Sequence, residues 1–351
     1  MMKAGIFMAK THLQTHSPNR GTINNLQALR AFAVLNVVFL HALQIGASYG
    51  QGTDVFAFLD GWGNNGVDIF FVISGFFMVY IQRLRPRSPQ AFFAARIMRI
   101  VPIYWLLTIG LMAVTLVMPQ IFRELDFSMS HGVLSLLFLT NLVSSGDPML
   151  EVGWTLEYEM LFYALFAFAL VFKNQILSIV LPAIALIALS FSGIADWIVI
   201  EFIFGMGLAH LYLSKAPIFL PKILFALGTC LLLLSIPFGR ELPLHRVFIS
   251  GIPAVFIVYG ALYMPQIKNG LLALLGNASY SVYLAHFYII TICFKIAAML
   301  ELTVNTDVLF LGVFVASIAS GLVFYYLIEK PIGRYIKSAR KPHEVLVPVS
   351  H

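Results

Sequence analysis

Apolar residues run along this chain in long, nearly unbroken blocks separated by short polar breaks. Ten blocks approach the roughly twenty residues that an α-helix needs to cross a hydrocarbon core. They fall at 26–45, 66–82, 100–118, 153–172, 176–192, 197–213, 218–236, 247–264, 279–299 and 308–328. The pattern predicts an all-α, polytopic transmembrane helix bundle of about ten spans. Two blocks carry a proline, Pro182 and Pro253, which lacks the amide proton that a helix interior uses. The stretch from 132 to 142 is too short to span and reads as an interfacial or re-entrant piece.

Composition agrees with the pattern: 60% of residues are apolar, 11% are charged, and the mean hydropathy of +0.89 lies outside the range of a soluble domain. Residues 1–25 are polar and mixed, so the first apolar block starts too late for an ordinary signal peptide, and no small-residue cleavage site follows it. The expected organisation is a polar tail over 1–25, a transmembrane domain over 26–330 and a second tail over 331–351. The two cysteines, Cys230 and Cys293, fall inside apolar blocks, which speaks against a disulfide framework or a cysteine metal site. No internal repeat and no linker to a soluble domain is visible.

Charge predicts orientation. With ten spans, all but four of the 22 Lys and Arg residues share one side with both termini; the exceptions are Arg123, Arg240, Arg246 and Lys295. The positive-inside rule makes that side the cytoplasm. Most acidic residues fall opposite, Asp68, Glu157, Glu159 and Glu201 among them. The net charge of +6 therefore reflects topology and contact with anionic lipid, and no nucleic-acid recognition motif accompanies it.

Within this frame a few polar residues stand where lipid makes them costly. Arg30 and His41 are eleven residues apart in the first block, almost three helical turns, so they share a face about 16 Å apart along the axis. Arg30 reads either as a headgroup anchor or as part of a site. His41 reads either as a packed, hydrogen-bonded histidine or as a general base. Asp68 opens the second block, and Glu157 and Glu159 lie in Trp154-Thr155-Leu156-Glu157-Tyr158-Glu159. Complementing a helix dipole explains Glu157. Glu159 sits deeper and faces away from Glu157, so Glu159 or Asp68 is a candidate to orient the His41 ring.

Arg96 and Arg99, three residues apart before the third block, are helical neighbours whose planar forks suit phosphate oxygens, whereas Arg83, Arg85 and Arg87 read as ordinary inside-loop charge. The ninth block carries Ser279-Tyr280-Ser281-Val282-Tyr283-Leu284-Ala285-His286, with Tyr283 and His286 spaced to line one groove. There is no glycine-rich phosphate loop, no Gly-x-Ser-x-Gly elbow and no His-Glu-x-x-His motif, so neither a nucleotide site of the common kinds nor a metal is expected.

Taken together and in order, these pieces resemble acyltransferase family 3, the integral membrane O-acyltransferases, over about residues 24–335. Leu26-Gln27-Ala28-Leu29-Arg30-Ala31 followed by His41 is similar to its Arg-x10-His signature, and Arg96-Ile97-Met98-Arg99 to its Arg-x-x-Arg signature. The block from Gly66 to Phe76, the Trp154–Glu159 segment, Ser279 to His286, and Glu329-Lys330-Pro331 also fit. The chain is most similar to the branch acting on exopolysaccharides, without the esterase-like domain fused to some relatives.

The resemblance implies transfer of an acyl group, usually acetyl from acetyl-CoA, to a hydroxyl of a sugar in a surface glycan or its lipid-linked precursor, in a bacterial inner membrane. It implies His41 as catalytic, aided by Glu159 or Asp68. Arg30, Arg96, Arg99 and Tyr104 are then expected to hold the donor, and Trp154, Tyr283 and His286 the acceptor. Direct transfer and an acyl-histidine relay are both open on this reading. The competing class is a secondary transporter or translocator of a glycan, which would also bury ionisable groups in a bundle, but no inverted repeat supports it.

Overall fold

A computed structural model describes residues 23–60, 62–117, 128–143, 146–214, 216, 218–238 and 245–339, and all regular structure within them is helical. Arg123, Arg240 and most of both predicted tails lie outside the described residues. Each of the ten apolar blocks contains a helix: α1 (Asn24–Ser48), α2 (Asn65–Leu84), α3 (Pro89–Val117), α6 (Trp154–Ala169), α7 (Leu177–Phe191), α8 (Ile200–Leu213), α9 (Pro221–Phe238), α10 (Ile252–Tyr263), α11 (Gly270–Met299) and α12 (Thr306–Phe324). Among the described residues six helical segments, built on α1, α2, α3, α6, α11 and α12, are long and apolar enough to cross a membrane. The other four are shorter apolar helices.

The helix boundaries follow from local chemistry. α3 starts at Pro89, eleven residues ahead of its apolar block, with the Ser88 hydroxyl accepting from Ala91 N–H at 3.3 Å. Proline in a first turn forfeits no hydrogen bond, and serine is a favoured cap. Arg96 and Arg99 are therefore fully helical. Asn269 starts α11 nine residues early by accepting from Leu271 and Leu272 N–H, and Asn305 does the same for α12. Pro253 falls in the first turn of α10, after a π-turn over Val247–Gly251, so it interrupts nothing. Pro182 is accommodated inside α7.

The stretch predicted to be too short to span holds two small helices, α4 (Met129–Leu136) and α5 (Thr140–Val143). The Glu157 carboxylate accepts from Thr140 N–H at 3.0 Å and Asn141 N–H at 2.7 Å, so it caps α5 from the neighbouring helix. After α12 the chain makes a π-turn over Tyr325–Glu329 and ends its described part in α13 (Lys330–Ala339).

Small residues bring the central helices into backbone contact, as helix packing without a strong hydrophobic drive requires. A Cβ on Gly75 would lie 2.1 Å from Phe202 O, and one on Gly205 2.1 Å from Val72 O, which fixes α2 against α8. Phe202 continues the seam, stacked on Phe71 at 4.4 Å and Phe162 at 4.5 Å. α1 and α11 pack in parallel: Gln27 meets Gly276, Arg30 meets Ser279, His41 meets His286 and Gly46 meets Phe294.

Candidate active site

The parallel register of α1 and α11 carries the polar face of one helix onto the other. Arg30 Nη2 donates to Ser279 Oγ at 2.8 Å. Three turns further on, His41 Nδ1 lies 3.1 Å from His286 Nε2. Each histidine also sets its own Nδ1 against the carbonyl one turn back, Val37 at 3.0 Å and Val282 at 3.1 Å. His286 is fully buried and His41 partly so. Phe287 stands edge-on to the His41 ring at 5.7 Å, and the rings of Tyr283 and His286 are 5.8 Å apart.

Beside this seam, α1, α2, α3, α6 and α11 enclose a cavity of about 280 Å³. Its wall on α2 extends from Ile81 to Val67, about 21 Å at the helical rise. Arg30, Arg96, Arg99, Glu159, Tyr163 and Ser279 supply most of its polar lining. Arg99 is exposed at the rim, while Arg96 is buried with its Nε unpartnered and its guanidinium 5.6 Å from the Phe92 ring and 5.9 Å from Tyr163. Three guanidinium groups on one cavity give it a lining chemically matched to an anion. Glu159 tempers them, accepting from Ser74 Oγ at 2.7 Å and from the Tyr163 hydroxyl. Farther along, Phe70 and Tyr283 line the wall, and the Tyr283 hydroxyl donates to Val152 O at 3.1 Å. Tyr283 thus joins the arginine cavity to the histidine pair.

Arg30, Arg96, Arg99, Glu159 and Tyr283 converge on one cavity, and His286 joins His41 next to it. The expected orienting carboxylates are elsewhere. Asp68 is fully buried, with Arg246 Nε donating to Oδ1 at 3.2 Å and Nη2 to Oδ2 at 2.8 Å. Glu159 is engaged by Ser74 and Tyr163, so the ring that meets His41 belongs to His286. Tyr104 also departs from its expected place. It is fully buried, it donates from its hydroxyl to Ser135 O at 3.1 Å, and its ring packs on Phe138 at 4.5 Å, so it anchors α4 and is not among the cavity's lining residues. Trp154 lines a separate cavity of about 270 Å³ with Tyr158, Asn141, Asp196, His245 and Arg246.

Sequence reasoning passed over Arg246, read only as loop charge, and the pair Ser74 and Tyr163. Ser74 lies in the Gly66–Phe76 block and Tyr163 one turn after Glu159, a spacing that places it on the same helix face. Glu329 accepts from the Ser281 hydroxyl, tying the turn after α12 to α11.

The family comparison accords with this arrangement. The acyltransferase domain of acyltransferase family 3 matches residues 23–328, so the chain belongs to that family and is an integral membrane acyltransferase. It is 33% identical over 305 residues to the exopolysaccharide production protein ExoZ of Rhizobium meliloti (strain 1021), covering 79% of this chain and 92% of that protein. It is 32% identical over 162 residues to nodulation protein 10 of Rhizobium leguminosarum bv. viciae, covering 41% of this chain and 43% of that protein. No solved structure matches the chain.

Proposed function

We propose that this protein moves an acetyl group from acetyl-CoA to a sugar hydroxyl of an exopolysaccharide, or of its lipid-linked precursor, at a bacterial inner membrane. The observation that carries the reading is the single cavity that begins at Arg30, Arg96 and Arg99 and reaches Tyr283, beside the His41–His286 pair. Guanidinium groups match the phosphates of CoA, and an elongated, mostly apolar passage suits its extended arm. The name of the rhizobial relative supports a polysaccharide acceptor.

On this reading the bundle has ten spans with both termini in the cytoplasm. The parallel run of α1 and α11, the first and ninth spans, is what alternate crossing requires. The arginines then face the compartment where CoA thioesters are made. The acceptor enters from the opposite side, by way of the cavity at Trp154 and Tyr158, whose aromatic faces and planar polar neighbours suit a sugar ring.

His41 acts as general base. It takes the hydroxyl proton as the sugar oxygen bonds to the thioester carbonyl carbon. The carbon–sulfur bond then breaks, and the proton returns from His41 to the departing CoA thiolate. The products are the sugar ester and free CoA.

Membranes containing the protein, given acetyl-CoA labelled in the acetyl group, should place label on the glycan, and membranes with His41→Ala should not. Glycan crossing the membrane without gaining label would replace the transferase by a translocator.

A further inference from the structure

We propose that His286 is a positioning residue that fixes the tautomer of His41 and makes His41 Nε2 the nitrogen that receives the proton. The inference rests on the reading of His41 as base. It follows from five atoms. His41 Nδ1 is 3.0 Å from Val37 O and 3.1 Å from His286 Nε2. A carbonyl oxygen offers only lone pairs, so the contact with Val37 is a hydrogen bond only if His41 Nδ1 carries the proton. The same holds for His286, whose Nδ1 is 3.1 Å from Val282 O. With both protons on Nδ1, His286 Nε2 is bare and accepts from His41 Nδ1–H. Every close polar contact is then donor to acceptor. The reversed assignment, with His286 Nε2 donating, would set a nitrogen lone pair against a carbonyl lone pair at both Val37 and Val282.

One arrangement therefore satisfies the pair, and it leaves His41 with a single basic nitrogen, Nε2. When Nε2 takes the acceptor's proton, Nδ1–H keeps its acceptor in His286, so the imidazolium is held without a ring flip. A buried neutral imidazole here fills the orienting position that a carboxylate fills in a Ser-His-Asp triad. It differs in adding no charge to the centre of the bundle, where an unpaired carboxylate would be costly. The surroundings hold the geometry. His286 is fully enclosed, Phe287 is edge-on to His41, and Tyr283, one turn before His286, is fixed through its hydroxyl to Val152 O.

Solid-state ¹⁵N spectra of histidine-labelled protein in lipid report tautomers directly and need no acceptor. His41 and His286 should both show protonated Nδ1 and bare Nε2 near neutral pH, with the two His41 signals identified by their loss in His41→Ala. His286→Phe, which removes the acceptor, should lower kcat for glycan acetylation by about a hundredfold or more and move the acetyl-CoA KM by less than about threefold. His286→Gln, which returns an acceptor oxygen to the Nε2 position, should recover activity to within about tenfold of the parent. Wild-type His41 with a bare Nδ1 overturns the proposal, as does folded His286→Phe with unchanged kcat. Should His286→Phe not fold, the wild-type spectrum and His286→Gln decide. Transfer that persists in His41→Ala would instead remove the base from the proposed function while leaving the tautomer measurement intact.

Discussion

Arg246 holds Asp68 by both carboxylate oxygens, at 3.2 and 2.8 Å, and Glu201 is buried against the same pair. One guanidinium thus pairs the interior carboxylate of α2, while the Glu201 carboxyl group of α8 lies buried nearby with neither oxygen hydrogen-bonded. Removal of Arg246 leaves Asp68, with no exposed surface, as an uncompensated buried charge. Arg246→Ala should destabilise the protein by somewhat less than the about 3–5 kcal/mol of a fully buried pair, because Arg246 keeps a third of its own surface exposed. Asp68→Asn should cost less, since the neutral amide still accepts from Arg246. Thermal denaturation in detergent ranks the two; an Arg246→Ala protein as stable as the parent would mean that the pair does not hold α2 in place.

His41→Ala should reduce transfer by about 10²–10⁴-fold while donor binding is preserved, because His41 is not among the residues lining the arginine cavity. Glu159→Gln should act differently. The amide can keep the bonds from Ser74 and Tyr163 but leaves the arginines without their anionic neighbour, so the acetyl-CoA KM should change more than kcat. Steady-state kinetics on both variants separates the roles.

Replacing Arg96 and Arg99 together with alanine should raise the acetyl-CoA KM at least tenfold, as expected when charge-assisted contacts worth about 1.5–3 kcal/mol each are lost. Lysine at both positions should restore part of the loss, since it keeps charge but not the planar fork. Arg85, exposed at the end of α2 and outside the cavity lining, should tolerate alanine. An unchanged KM in the double alanine variant would leave these arginines as lipid anchors.

Donor sidedness is measurable in sealed vesicles. Acetyl-CoA should support transfer only from the face bearing the termini, because Arg30, Arg96 and Arg99 gather where α1 and α11 begin. Equal activity from either face would remove the transmembrane route.

Much of this architecture was legible in the chain, because bilayer thickness imposes a length that apolar blocks must meet. All ten blocks became helices, and the spacings from Arg30 to His41 and from Arg96 to Arg99 placed those residues correctly on helix faces. The extra helical turns before α3 and α11 were less visible, since Ser88, Pro89 and Asn269 signal them only by capping chemistry. Pairings between distant helices were not legible. Nothing local ties Asp68 to Arg246, 178 positions away, or His41 to His286, 245 positions away. Periodicity assigns a face but not the neighbour opposite it. Tyr104 illustrates the same limit: five residues after Arg99 on the same helix, it turns instead toward Ser135 on a helix too short to be sought as a partner.

The glycine contacts between α2 and α8 divide the cavity's walls into two genetic regimes. At Gly75 and Gly205 the opposing carbonyl oxygens leave no room for even a methyl group, so every substitution is felt by the backbone of both helices. Across the cavity, α3 turns Leu106, Ile109 and Val117 outward, where one apolar side chain replaces another at little cost. A saturation library should therefore show α2 as a helix intolerant along its seam, and α3 as a helix whose outward positions drift freely while Arg96, Arg99, Tyr104 and its other inward positions do not.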